Sequence, residues 1–355
     1  MNNDQNFLFA ILKIMSNESL QISPVIKDYL LSRGYSENFT VSSIAGAGSG
    51  RQYFRISEGS KSCVLQVCAE VNDDFRHFVD YSKTFRDFGL PVTRIFCVDE
   101  SSCQVLQEDL GKRNLLDEVS PVSPGVRSGN ERIIYPTVID ALVKWQEASQ
   151  PIFSSHTELW IRRFDFAALK WETDYFTENY LKAHCGITEI PQSVMNFYSL
   201  LAVSVDAQPK VLMHRDFQSQ NIMVRPNSEI AFVDFQGARR GSAFYDIASL
   251  LWDPYVCLPV PMIKDFFEYW RMQNKRVHAY TKEDAWESFI HASLQRVMQA
   301  LGAYCFLSKV KGIQKFEQYI EPGKAQLRTL FGEFKQIAKA TEPEAIAFIE
   351  NALKD

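Results

Sequence analysis

Apolar positions in the first hundred residues change period repeatedly, and each change marks an element. Leu20, Ile26, Tyr29, Leu30 and Leu31 fall at helical spacing up to Gly34, which predicts a helix over 20–34. FTVSSI, QYFRIS and KSCVLQVCA are short β-like runs, with the glycine-rich AGAGSG between the first two. That order is β-turn-β-turn-β, not the strand-to-helix step of a dinucleotide-binding unit or a Walker A loop. Phe75, Phe78, Val79 and Phe85 in DFRHFVDYSKTFRDFG return to helical spacing, which stops at Gly89 ahead of Pro91. VTRIFCVDE and SCQVLQEDLG complete a small sheet, so residues 1–110 read as a β-rich N-terminal lobe with leading helices.

The segment 112–130 carries Pro, Ser and Gly and is expected to include a surface loop. Beyond Tyr135 helical spacing dominates, in YPTVIDALVKWQ and again, with aromatics, in FDFAALKWETDYFTENYLKA. Thr281 and Asp284 form a cap signature ahead of WESFIHASLQRVMQALGAY. Residues 111–355 therefore read as a larger, mostly helical C-terminal lobe. One stretch departs from that pattern: VLMHRDFQSQNIMV, residues 211–224, sets His, Arg, Asp, Asn and two Gln between apolar runs with the look of short buried strands. Polar groups in such a place need polar company.

Composition narrows the class. The chain has 355 residues, 46% hydrophobic and 23% charged, more than one core usually covers. With 38 basic and 43 acidic residues the net charge is -5, which argues against nucleic acid as a main partner. The seven scattered cysteines show no metal-ligand spacing and suit free thiols in a reducing compartment. No run approaches the roughly 18 apolar residues of a membrane helix. FLFAILKIM contains Lys13 and follows MNNDQN, which has an acid and no base, so it is expected to be an amphipathic helix of a cytoplasmic protein rather than a signal.

The chemistry sits in the polar stretch. Asn221 follows Asp216 by five residues, and Asp234 in IAFVDFQGARRG comes thirteen later. Phosphoryl transfer from ATP asks for one carboxylate to take the proton of the attacking hydroxyl, and for an amide and a second carboxylate to hold Mg²⁺ on the phosphates. H-R-D-x-x-x-x-N followed by a strand ending in D-F places Asp216 as the base and Asn221 and Asp234 as metal ligands, with Asp216 and Asn221 expected on one hairpin. His214 is expected to support the loop rather than act in catalysis, and Arg215 to face solvent or pair with an acid.

At these residues the sequence resembles the aminoglycoside phosphotransferase/choline kinase-like superfamily of small-molecule kinases. Within it the resemblance is nearest to bacterial anomeric sugar kinases acting on N-acetylmuramate and N-acetylglucosamine. SGRQYFRI, VLQEDLGKRNLLDEV, FDFAALKWETDYFTENYL, HRDFQSQNIMV, VDFQGARRG, YDIASLLWDPY and LQRVMQALGAY carry it, in order, across residues 40–335. The resemblance implies an α+β, bilobal protein-kinase-like fold with ATP and Mg²⁺ as cofactors. It places Gly48, Ser49, Gly50 and Arg51 at the turn over the phosphates and adenine at a hinge near Gln107, Glu108 and Asp109. Asp246 in YDIASLL matches an acid that braces the catalytic loop.

Two departures stand out. Gln66 occupies the third-strand place where a phosphate-contacting lysine is common, and NDDFRHFVDYS offers no glutamate to pair with one. Phosphate binding must then lean on Mg²⁺, Arg51 or the backbone. Gly237 stands where the near relatives lead one to expect an acid. For the acceptor, Asp165, Glu172, Arg239, Asp253 and Tyr255 are the candidates, since carboxylates with an aromatic suit sugar hydroxyls. The alternatives are a choline-, aminoglycoside- or homoserine-like alcohol and a non-catalytic nucleotide-binding protein. A protein kinase is disfavoured, because Asp234 leads almost directly to Tyr245 and Asp246 with no room for a long activation segment. Nothing in the sequence names a protein partner.

Overall fold

The computed structural model describes residues 20–44, 51–120, 122–225, 227–337 and 342–354. The expected FLFAILKIM helix and the turn residues Gly48, Ser49 and Gly50 lie outside them. Two compact units emerge: residues up to Lys83 with Thr93–Leu110, and Thr84–Val92 with everything from Gly111 onward.

The first unit is built on an antiparallel sheet of β1 (Thr40–Ile44), β2 (Gln52–Glu58), β3 (Lys61–Val67), β4 (Ile95–Asp99) and β5 (Gln104–Glu108), in the order β1-β2-β3-β5-β4. Cys63 and Leu65 of β3 pack with Ile56, Leu106 and, from helix α1 (Pro24–Ser32), Ile26 and Leu30. Each large aliphatic side chain buried there contributes on the order of 1.5–3 kcal/mol. Strand alternation then turns Val64 and Gln66 to the opposite face. Helix α1 starts later than its apolar spacing suggests. Ser23 caps it, its Oγ accepting the Ile26 N–H, and Pro24 suits the first turn, so Leu20 stays outside. It ends as expected at Gly34, whose φ of 76° lets the Tyr35 N–H reach back to the Leu30 carbonyl.

Helix α2 (Asp73–Asp87) matches the expected run, with Phe75, Phe78, Tyr81 and Phe85 buried. In the second unit the 112–130 segment is not all loop. Asn114 and Asp117 form a reciprocal capping box for the short helix α3 (Leu115–Val119), which buries Leu115 and Val119. The other helices that matter for the site are α4 (Glu131–Glu147), α5 (Phe166–Phe176), α6 (Ala243–Leu251) and α7 (Lys282–Cys305). The expected cap of α7 is present, with the Asp284 N–H donating to Thr281 Oγ1 at 3.1 Å. All seven cysteines are free. None of the helices among the described residues is long and apolar enough to cross a membrane.

The apolar runs flanking the polar stretch are strands, β6 (Lys210–Met213) and β7 (Ile222–Val224), but they do not form a hairpin. β6 pairs with β9 (Arg239–Ser242), and β7 pairs with β8 (Ile230–Phe232). The intervening N–H groups of His214 and Ser219 bond to Asp246 and Asp253, and each strand pairs along another edge.

Candidate active site

The loop between β6 and β7 is held from below by two buried carboxylates. Asp246, in the first turn of α6, accepts the N–H of His214 at 2.7 Å and of Arg215 at 2.9 Å. Burial pushes its carboxyl up to about 7 despite those two bonds. Asp253 accepts the Ser219 N–H at 2.7 Å and the Tyr255 N–H at 2.9 Å. The loop turns on Arg215, whose φ of 81° is costly for a side-chain-bearing residue and is sustained by these bonds. His214 is buried, its ring against Trp145, Phe217 and Phe232. Burial lowers its pKa, which favours the neutral ring of a packed support. Phe85 of α2 and Phe235 pack edge to face on the same aromatic floor.

Asp216 projects from this platform with its side chain 35% exposed. Among the described residues no hydrogen-bond donor reaches its carboxylate; the nearest cation is Arg296, with Nη2 3.8 Å from Oδ1. Burial alone would raise its pKa, but the guanidiniums of Arg215, Arg296 and Arg239 outweigh that and hold it below its ordinary value. The result is an ionised carboxylate with open lone pairs, which can accept a proton.

Asn221 sits beside it. Its Nδ2 donates to the Asp216 carbonyl at 2.9 Å, which turns Oδ1 outward. The Asn221 carbonyl accepts the Val233 N–H at 3.0 Å, so the next residue, Asp234, is brought alongside. Asp234 takes the left-handed conformation, φ 61°, and its Oδ1 accepts from Gln236 at 2.6 Å. One amide oxygen and one carboxylate fit Mg²⁺, a hard cation that keeps several waters and takes further oxygens from phosphate.

In the first unit Gln66 is fully buried, with Nε2 3.3 Å from Cys68 Sγ and no partner for Oε1 among the described residues. Arg51 pairs with Asp74, in the first turn of α2, at 3.0 Å. That acid was missed by looking for a glutamate. Gln107 lies in β5 opposite Val64. The Glu108 side chain accepts the Arg94 N–H at 3.2 Å. Asp109 is taken up by Arg55, at 2.6 and 3.0 Å, and by Ser62 at 2.7 Å.

The five acceptor candidates fall in different surroundings. Asp165 caps α5 through the Ala168 N–H. Glu172 is buried, accepting from Tyr245 at 2.8 and 2.9 Å and from Gln295 at 3.4 Å, and burial pushes it up to about 7. Tyr255 is buried against Tyr304 and Tyr319. Arg239 donates to the Gly237 carbonyl at 2.8 Å and lies over Phe164. Asp253 serves the loop as described. Gly237 adjoins Asp216: a Cβ there would stand 3.9 Å from Asp216 Oδ2. Sequence reasoning passed over Arg296, whose only signal was a lone charge in the apolar LQRVMQALGAY.

Comparison with known proteins places the chain among small-molecule kinases. An N-acetylmuramate/N-acetylglucosamine kinase of Pseudomonas aeruginosa is 27% identical over 322 residues, covering 82% of this chain and 88% of that one. Among solved structures, a choline/ethanolamine kinase family protein from Mesorhizobium loti superposes with a TM-score of 0.59 at 12% identity, over 90% of this chain and 95% of that one. A thermostable mutant of an aminoglycoside phosphotransferase, in ternary complex with ADP and hygromycin B, gives 0.56 at 14% identity, over 90% and 100%. These likenesses match the expected α+β, protein-kinase-like fold. Residues 40–282 match the phosphotransferase enzyme family, more than half of the chain, and the chain belongs to that family.

Proposed function

We propose that the protein is a kinase that transfers the γ-phosphoryl group of ATP, with Mg²⁺, to the anomeric hydroxyl of an N-acetylated amino sugar such as N-acetylmuramate or N-acetylglucosamine. The observation that carries the transfer is Asp216: an ionised carboxylate that takes no hydrogen bond among the described residues, on a braced loop beside Asn221 and Asp234. Asp216 accepts the hydroxyl proton, the sugar oxygen bonds to phosphorus, and the bond to ADP breaks. Asn221 and Asp234 would hold Mg²⁺, which when bound would neutralise phosphate charge. Arg51, kept in place by Asp74, supplies the cation that Gln66 does not. An anomeric hydroxyl is more acidic than an ordinary alcohol, so its proton passes more readily to a carboxylate. The choice of sugar rests on the name of the Pseudomonas aeruginosa relative. We infer a cytoplasmic location, where free thiols stay reduced.

The test is to incubate the protein with ATP, Mg²⁺ and each sugar, counting ADP and reducing ends. Anomeric transfer consumes one reducing end per ADP. ADP release with reducing ends unchanged, or turnover with choline or an aminoglycoside alone, overturns the substrate while leaving a kinase. No turnover with any acceptor favours a non-catalytic protein.

A further inference from the structure

Helix α7 buries Ala292, Leu294, Val297, Met298 and Leu301, and Arg296 interrupts that apolar run at 6% exposure. Taking a guanidinium out of water costs several kcal/mol unless its donors are met and its charge is paired. Its donors are met on every edge: Nε reaches Ser249 Oγ at 2.9 Å, Nη2 reaches Gln218 Oε1 at 3.1 Å, and Nη1 bonds Gln299. Its ion pair, at 3.8 Å, is with Asp216. The other carboxyls that feel its charge are occupied: Glu172 by Tyr245 and Gln295, Asp246 by the His214 and Arg215 N–H groups, and Asp253 by the Ser219 and Tyr255 N–H groups.

The 3.8 Å separation matters. It is too long for a hydrogen bond, so Arg296 leaves the Asp216 lone pairs open, yet short enough for a direct ion pair between a buried guanidinium and a partly exposed carboxylate. Arg296 also grips Gln218, two residues beyond Asp216, which ties α7 directly to the loop.

We propose that Arg296 is the positioning residue of the Asp216 loop: its fork fixes Gln218, and its charge, held just beyond bonding distance, keeps the Asp216 carboxylate aimed at the acceptor hydroxyl. The inference rests on Asp216 being the proton acceptor. It predicts a loss confined to turnover and dependent on Asp216.

The experiment is a double-mutant cycle on the full chain with Arg296→Gln, Asp216→Asn and the pair, plus Arg296→Lys, reading kcat, KM for ATP and the denaturation midpoint. Arg296→Gln should lower kcat on the order of a hundredfold, as a small misplacement of a catalytic group does, with KM for ATP within about threefold. Lys keeps the charge and loses the fork, so its kcat should fall about tenfold. The pair should be no slower than Asp216→Asn within about threefold, because the two act as a unit. Losses that multiply, or near-normal kcat in Arg296→Gln, overturn the inference. If Arg296→Gln does not fold, Arg296→Lys takes its place in the cycle, and normal turnover or multiplying losses there overturn it equally. Near-normal turnover in Asp216→Asn is a different result: it removes the base, and with it the inference.

Discussion

The polar side chains of the two units are used in opposite ways. In the sheet of the first unit they largely answer one another: Arg55 with Asp109, Ser62 with Asp109, Arg51 with Asp74, and the Gln104 side chain with the backbone around Ser23. In the loop of the second unit the supporting groups are bonded, while the Asp216 carboxylate lies in the field of Arg215, Arg296 and Arg239 and takes no hydrogen bond among the described residues. The difference separates scaffolding from chemistry. A carboxylate that is to accept a proton must keep its lone pairs open, whereas one that is to hold a strand or a loop must spend them.

The largest break in that contrast is Asp216→Asn. It should leave the fold and nucleotide binding in place and cut turnover on the order of a hundredfold or more. Steady-state kinetics with calorimetric ATP titration checks it, and near-normal turnover would sink the role of the open carboxylate.

Next comes the metal pair. Asp234→Ala should abolish the Mg²⁺-dependent gain in ATP affinity, because it removes the charged ligand. Asn221→Ala should reduce that gain less, since an amide brings no charge. Calorimetry with and without Mg²⁺ decides, and equal losses would contradict the division of labour.

Within the first unit, Arg51 and Gln66 can be set against each other. Arg51→Ala should weaken ATP binding about tenfold, the scale of a lost charge-assisted bond. Gln66→Ala should cost about 1 kcal/mol, the worth of one neutral hydrogen bond. If Gln66→Ala proves the more damaging, the cation has been placed on the wrong side chain.

A further contrast concerns stability rather than turnover. Burial raises the Glu172 carboxyl from an ordinary 4.5 to about 7. Between those values the folded protein holds a proton that the unfolded chain has released, so stability falls as pH climbs from about 4.5 to 7. Asp246 pulls in the same direction. Glu172→Gln should flatten the fall by on the order of 2 kcal/mol, read by urea denaturation at pH 5 and pH 8. An unchanged slope would place the titration elsewhere.

Much of this was legible before any coordinates. The five strands and helix α2 announced themselves through period-two runs, helical phenylalanines and terminal glycines. Where the reading slipped, a local signal was outweighed. Ser23 and Pro24 set the start of α1 against the apolar spacing. The hairpin expected around Asp216 failed for a different reason: strand partners are chosen by edges, and the edges of β6 and β7 are met by β9 and β8.

For the candidate site, the sequence alone determined which groups stand close together along the chain. Asp216 and Asn221 are separated by a few residues, and backbone reach dictates that they share one loop. Only the tertiary structure decided what surrounds them. Asp246 and Asp253 are spent on backbone N–H groups, and Arg296 arrives from a helix 80 residues away. Burial and field depend on distance in space, which a linear spacing does not carry; whether a carboxylate is a brace or a base is therefore settled by packing.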